Sequence, residues 1–236
     1  MSMQLTTDRR FLITGAAGAI ADSIITTFAE AGARLALVDL ELDTVRSRAD
    51  EHGGIAFEAD LTDPEATSAM AREARERLGG LDGLIHTTGG FAMAPVDQMQ
   101  VELFERMFDL NVRTLVVTAG SVLPMLVEQG GGFVAAFSAG PAWHRSGGGG
   151  MSAYAAAKAA VQAYLHAVQD ELGGRDISTA VVYPMGVVDT PGNREAMSDA
   201  DRSQWIDPDE IARALLLAAV SGPRGRLTEL PVFPPG

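Results

Sequence analysis

Cysteine is absent from this chain of 236 residues, which excludes a disulfide framework, a thiol nucleophile and a cysteine-ligated zinc. Basic charge is scarce. The 18 Lys and Arg face 31 Asp and Glu, for a formal net charge of −13. Nucleic acid and anionic membranes both reward basic patches, so neither is an expected partner. No signal-peptide pattern is present and no apolar run approaches the roughly 18 residues of a membrane span, so the expected location is the cytoplasm. The four histidines, His52, His86, His144 and His166, lack metal-ligand spacing, and no metal site is expected. No Pro/Ser-rich linker or shift in composition divides the chain. With 47% hydrophobic and 21% charged residues, positions 1–236 read as one domain with one substantial core.

What is present centres on Tyr154-Ala-Ala-Ala-Lys158 in the run Ser152 to Val161. The alanines favour a helix. Residues four apart lie one above the other on a helix face, so the Tyr154 phenol and the Lys158 ammonium point into the same space. At roughly 5 Å and an effective dielectric near 20, a unit charge is worth about 3 kcal/mol, enough to lower the phenol's ionisation by about two pH units. Such a tyrosine would donate or accept a proton near neutrality. The same spacing also arises on an ordinary exposed helix face.

The surrounding chain decides between these readings. Phe11-Leu-Ile13 is a short apolar run ending in Thr14-Gly15-Ala-Ala-Gly18-Ala-Ile20-Ala21, after which Asp22 to Ala31 reads as a helix. A strand, a glycine turn and a helix aim backbone N–H groups at a phosphate. Leu35 to Val38 is a buried strand ending in Asp39, near the ~20-residue spacing at which an acidic side chain bonds the adenosine ribose and repels a 2′-phosphate. The bland alternative is a turn residue closing a strand. Further strands are expected at Ile55 to Ala59, Leu81 to His86, Phe133 to Phe137, Ile177 to Tyr183 and Leu227 to Phe233. Helices are expected over Glu65 to Leu78, Asp97 to Val127, Ser152 to Leu172 and Pro208 to Val220. The small residues Thr87-Thr88-Gly89-Gly90 suit either close approach to a ligand or a tight turn. Four glycines, Gly147 to Gly150, cost conformational entropy to order, so their loop is expected to be mobile or to bend around something.

Strands alternating with helices at this spacing imply βαβ units and a parallel sheet, whose ligands bind outside the carboxyl ends of the strands. Thr14, Asp39, Asp60, Thr88, Ser138 and Thr190 all fall at such ends.

Together these residues resemble the short-chain dehydrogenase/reductase family over nearly the whole chain. The Thr14-Gly15 loop, Asp60, Asn111 and the Tyr154/Lys158 pair appear in the family's order. The resemblance implies an α/β single-domain Rossmann fold, a doubly wound parallel sheet of about seven strands with helices on both faces. It implies hydride transfer to or from a nicotinamide, with Tyr154 moving the proton. Lys158 would lower the tyrosine's ionisation and bond the nicotinamide ribose, and the Asn111 main-chain carbonyl would hold a relay water. Coenzyme contacts are implied at Gly15, Ala17, Gly18, Ile20, Asp39, Asp60, Leu61, Thr88, Gly89, Tyr154, Lys158, Pro184, Val187 and Thr190. Asp39 favours NAD(H) over NADP(H). Ala19 and Ala21 stand where the best-known branch has glycines.

Two segments resemble the dihydropteridine reductase branch. His86-Thr-Thr-Gly-Gly-Phe91 replaces the usual Asn-Asn-Ala-Gly, and Asp189 to Trp205 matches that branch's corresponding segment. Those enzymes use NADH on a quinonoid dihydropterin and lack the family's catalytic serine. Here Ser138 takes the first of the family's paired serines and Ala139 the second. Ser138 lies further upstream of Tyr154 than is usual, and Ser146 is a further candidate. The expected function is therefore an NAD(H)-dependent oxidoreductase acting on a carbonyl, an alcohol or a pterin-like substrate. Its alternatives are a ketone reductase using Ser138 and a silent nucleotide-binding regulator. Substrate contacts are expected from Phe91, Trp143, His144 and Arg194, with a substrate loop over about 185–207. The family resemblance implies a homo-oligomer, dimer or tetramer, formed through the long helices holding Asn111 and Tyr154, whose outer faces carry Leu, Val, Met and Ala; burial in the chain's own core is the competing reading of those faces.

Overall fold

The computed structural model describes residues 8–144 and 149–236. Seven strands form one sheet, every neighbouring pair parallel: β1 Arg10–Thr14, β2 Arg34–Asp39, β3 Ile55–Glu58, β4 Gly83–His86, β5 Gly132–Phe137, β6 Ile177–Pro184 and β7 Glu229–Val232, in the order β3-β2-β1-β4-β5-β6-β7. This is the single-domain Rossmann fold read from the strand and helix pattern. A strand's side chains alternate between faces, and here each face meets a helical layer. Phe11, Ile13, Leu35, Leu37, Phe133 and Ala135 enter one core cluster, while Leu12, Ala36, Val38, Val134 and Ala136 enter the other.

The first cluster is closed by α1 (Ala19–Glu30) and α9 (Pro208–Val220). Ala21, Ile24, Ile25 and Phe28 are buried on α1 at helical spacing. The second cluster is closed by α3 (Pro64–Leu78), α5 (Thr114–Gln129) and α7 (Ser152–Leu172). Asp63 starts α3 by accepting from Glu65 N and Ala66 N, and Pro64 sits in its first turn, where the missing N–H does no harm.

Several elements differ from the sequence expectation. A helix, α2 (Leu42–His52), follows β2; only Val45 and Ala49 are buried on it, too few apolar positions to show a period. The long helix expected from Asp97 is three pieces: α4 (Val101–Phe108), a π-helical turn over Asp109–Arg113, and α5. The wider turn falls on Asn111, as π-turns often do at functional positions. Two short helices, α6 (Gly140–His144) and α8 (Pro191–Ala196), occupy segments read as loops.

A further correction concerns the helical run Val101–Gln129, which is long and apolar enough to cross a membrane by length and composition, although no such segment was expected. Its apolar residues Leu115, Ala119, Val122 and Leu126 are fully buried in the second core cluster. A core helix makes that use of the same composition.

Candidate active site at the carboxyl ends of the strands

The order of the sheet reverses direction between β1 and β4, so the loops leaving these neighbours diverge and open a crevice at their carboxyl ends. Thr14 and His86 are register partners at that edge. Gly15 turns the chain there with φ of +64°, and a Cβ on it would lie 2.7 Å from Thr88 N. Only glycine fits both the left-handed backbone and the close passage of the next loop. The Thr87 hydroxyl donates to Thr14 O at 2.7 Å and the Thr88 hydroxyl to Thr14 Oγ1 at 2.9 Å, tying that loop down.

From Gly15 the chain enters α1 through Gly18, an N-cap with no side-chain acceptor. The first N–H groups of a helix lack partners inside it, so this end offers free donors and a positive dipole to an anion. Ala19 is exposed, and the Ala21 methyl is accommodated in the core. At the end of β2, Asp39 accepts from Ala17 N at 3.1 Å and Leu40 N at 2.7 Å, which fixes its carboxylate beside the glycine turn. Asp39 pairs in register with Glu58, and next to them a cavity of about 520 Å³ is lined by Glu41, Asp43 and Glu58 with Leu40, Leu42 and Thr44. Asp60 accepts from the Thr62 hydroxyl at 2.7 Å and Thr62 N at 2.8 Å; these hydrogen bonds, the hydroxyl's first, hold its carboxyl below the usual range. Leu61 packs its side chain into the second core cluster.

A cavity of about 260 Å³ gathers Ile20, Gly89, Phe91, Ser138, Tyr154, Lys158 and Pro184, with Thr87, Gly90 and Phe137. The Lys158 Nζ is 5.8 Å from the centre of the Tyr154 ring, so one helix face does present both. The expected lowering of the phenol does not occur in this arrangement. Burial pushes Tyr154 up to about 12 and Lys158 down to about 8. The ammonium turns to the Phe137 carbonyl, which it meets at 2.8 Å, and desolvation outweighs the Coulombic attraction that the spacing alone suggested. Ser138 Oγ donates to the Lys158 carbonyl at 2.8 Å, joining the end of β5 to α7. Asn111 closes on the opposite wall: its Nδ2 donates to Gly90 O at 3.0 Å and Met107 O at 2.9 Å, and its Oδ1 accepts from Gly90 N at 3.2 Å. A Cβ on Gly89 would lie 2.7 Å from Asn111 Oδ1 and 3.2 Å from Lys158 Nζ, so glycine keeps that wall open.

The outer residues are less gathered. Phe91 sits edge-on to Tyr154, ring centres 4.9 Å apart, and is 57% exposed, so it forms the rim. Trp143 packs on the buried Tyr183 at 4.9 Å, while His144 is exposed on the last residue of α6. Arg194 is gripped by both oxygens of Asp189, at 2.6 and 2.9 Å, and does not line the cavity. Thr190 caps α8 through Asn193 N at 3.2 Å. The segment is cinched at its neck, where Ile206 N donates to Val187 O and Asp189 N to Ile206 O, both at 2.8 Å. Ser146 and part of the glycine run lie outside the described residues.

Some site residues escaped the sequence reading. Arg48 of α2 donates to the carbonyls of Ala16 and Gly18 and pairs with Asp22 at 3.1 Å, bracing the glycine turn from outside. No motif marks it. His86 is 2% exposed inside the crevice wall.

A model of the family described as short chain dehydrogenase matches residues 9–201. An uncharacterised oxidoreductase of Staphylococcus aureus is 28% identical over 98% of this chain and 100% of its own length. Among solved structures, a 7α-hydroxysteroid dehydrogenase complexed with NADH and 7-oxo glycochenodeoxycholic acid superposes with a TM-score of 0.85 at 27% identity, covering 98% of this chain and 95% of that one. A short chain dehydrogenase from Burkholderia cenocepacia in complex with NADP gives 0.86 at 26% identity, covering 99% and 98%. Nicotinamide coenzymes of both kinds thus occur among the neighbours of this fold, and with the crevice, the glycine turn and the Tyr154/Lys158 face they agree on one conclusion: the chain belongs to the short-chain dehydrogenase family of oxidoreductases.

Proposed function

We propose that the chain transfers a hydride between NAD(H) and a carbonyl, alcohol or quinonoid pterin-like substrate, with Tyr154 giving the proton in reduction and taking it in oxidation. The observation that carries this reading is the convergence of Tyr154, Lys158, Gly89 and Pro184 on one cavity beside the uncapped end of α1. The crevice fits a dinucleotide in two respects: the free donors of α1 suit a diphosphate, and Gly89 lines the cavity with no side chain of its own. When bound, the coenzyme supplies or accepts the hydride. Gly15, Ala17, Gly18 and Ile20 would hold its diphosphate, Asp39 its adenosine ribose, and Asp60 and Leu61 the adenine side. Thr88, Gly89, Pro184, Val187 and Thr190 would surround the nicotinamide end, with Lys158 on its ribose and the Asn111 carbonyl holding a relay water. Burial keeps the phenol protonated at neutral pH, so its proton is in place for a developing alkoxide, while the raised ionisation makes it a weaker acid than a free phenol.

Preference for NAD(H) over NADP(H) follows from charge. A 2′-phosphate beside Asp39 would also face Glu41, Asp43 and Glu58, four carboxylates in one neighbourhood.

Among substrates, one observation favours the pterin-like reading over an ordinary ketone. The Ser138 proton is committed to the Lys158 carbonyl, and the next residue, Ala139, has no hydroxyl. Phe91, Trp143, His144 and Arg194 would then form the rim and the 185–207 segment its outer wall. Family membership and the exposed Phe104 and Val116 beside the Asn111 turn, each 40% exposed, support assembly into a dimer or tetramer, and the proposed location is the cytoplasm.

Tyr154→Phe should lower turnover by ~10²–10⁴-fold with NADH affinity kept within about threefold; wild-type turnover in this variant, with any substrate found, would sink the proton role. Fluorescence titration should give a dissociation constant for NADH ~10-fold or more below that for NADPH, with the gap narrowed in Asp39→Ser; tighter binding of NADPH would reverse the coenzyme assignment. Ser138→Ala should leave turnover of a quinonoid pterin within about twofold while lowering unfolding free energy by ~0.5–1.5 kcal/mol, the net worth of one hydrogen bond, since the Lys158 carbonyl keeps its partner within α7. A large loss of turnover at equal stability would instead assign Ser138 to the carbonyl of a ketone. Sedimentation equilibrium should report a mass of two or four chains at micromolar concentration, and a monomer would end the oligomer proposal.

A further inference from the structure

His86 stands at the end of β4 where the family's usual motif has asparagine, and its ring is enclosed between β1 and α5. Nδ1 lies 2.9 Å from Thr14 Oγ1 and Nε2 3.2 Å from Thr114 Oγ1. Proton bookkeeping fixes the direction of each bond. The single proton of Thr114 Oγ1 goes to Leu110 O at 2.8 Å, so in the Thr114 contact the ring must be the donor, through Nε2–H. In a neutral ring Nδ1 is then an acceptor, and it takes the proton of Thr14 Oγ1. That leaves Thr14 Oγ1 to accept from Thr88 Oγ1 at 2.9 Å. The bonds therefore run one way, from Thr88 to Thr14, through the imidazole to Thr114, and end at Leu110 O in the π-helical turn beside Asn111. Burial, and secondarily the charge of Lys158, lower the ring to about 3, so it stays neutral across the working range and the chain of bonds keeps its direction.

The two ends of this chain matter more than its middle. Thr88 belongs to the segment Thr87 to Gly90, whose Thr87, Gly89 and Gly90 line the cavity with Tyr154 and Lys158, and Gly90 at the far end of that segment is held by Asn111. The π-helical turn thus grips the segment twice, directly from Asn111 to Gly90 and indirectly from Leu110 through Thr114, His86 and Thr14 to Thr88. We propose that His86 is a positioning residue for the nicotinamide half of the coenzyme, its Nε2–H ring holding the Thr87–Gly90 wall in register with the turn that carries Asn111. This rests on the nicotinamide reading of the cavity given above. The adenosine ribose is assigned to separate contacts around Asp39, itself fixed by Ala17 and Leu40, so loss of the imidazole should act mainly on the nicotinamide half.

NADH and ADP-ribose together separate this role from a merely structural one, because ADP-ribose lacks the nicotinamide. In His86→Leu the dissociation constant for NADH should rise about tenfold, about 1.4 kcal/mol, while that for ADP-ribose stays within about twofold. His86→Gln, whose amide can both accept from Thr14 and donate to Thr114, should recover most of the loss. Thr114→Val, which keeps the ring but removes its acceptor, should show the same split at smaller amplitude and serves if His86→Leu does not fold. In ¹⁵N-histidine spectra of the wild type, one ring should show Nε2–H and no titration between about pH 5 and 8. Equal weakening of NADH and ADP-ribose, no weakening of either, or an Nδ1–H or titrating His86 ring would overturn the proposal. Failure of the underlying reading looks different: the wild-type chain would bind neither NADH nor NADPH.

Discussion

Lys158 brings the one ammonium of the chain into the interior, 6% exposed, and much of the local architecture follows from making that tolerable. A buried charge without partners is expensive. Here it has one good acceptor, the Phe137 carbonyl, and no carboxylate within salt-bridge distance among the described residues. The group responds as physics requires, its ionisation falling to about 8. Lys158 reaches Phe137 because β5 ends where α7 begins its second turn, and that meeting is secured by Ser138 donating to the Lys158 carbonyl. One residue of α7 thus receives a hydrogen bond at its backbone from Ser138, just past β5, and gives one from its side chain to Phe137, the last residue of β5. Tyr154 lies one turn earlier on the same helix.

The opposite wall depends on a different kind of closeness. Between β1 and β4 the loops pass so near each other that Gly15 admits no side chain, and Gly89 admits none against Asn111. Tight passage is compatible with an open crevice only because hydroxyls and one imidazole satisfy the groups left between the strands. Thr87, Thr88 and His86 all bond to Thr14. A π-helical turn supplies the remaining anchor, with Asn111 bonded to Gly90 and Leu110 O accepting from Thr114.

Much of this was legible in the sequence. Alternating strands and helices give a doubly wound sheet because a parallel strand buried on both faces reads as a continuous apolar run, as Leu12 to Ile13 and Leu35 to Val38 do. The Tyr154/Lys158 face follows from helix geometry alone. What stayed hidden depends on contacts that spacing does not encode. Arg48 braces the glycine turn from a helix with only two buried apolar residues, so neither the helix nor its role left a periodic trace. The break of the long helix at Asn111 has no proline or glycine to announce it. The direction of the tyrosine's shift was misjudged because Coulomb's law at one distance ignores desolvation, which depends on Phe91 and the loops that fold over the ring.

That shift also bears on how proton transfer and the Lys158 contact fit together. With Lys158 on Phe137 and Tyr154 pushed up to about 12, the phenol stays protonated at neutral pH. Under the proposed function, reduction can start from this arrangement directly. Oxidation needs the phenolate, and stabilising it requires the ammonium to come nearer the phenol than its 5.8 Å separation from the ring centre. The Phe137 carbonyl is therefore a competitor for the lysine. Any group that offers Lys158 a second acceptor on the cavity side, as a ribose hydroxyl would, moves the balance toward Tyr154 and makes the two directions of the reaction depend on one hydrogen bond.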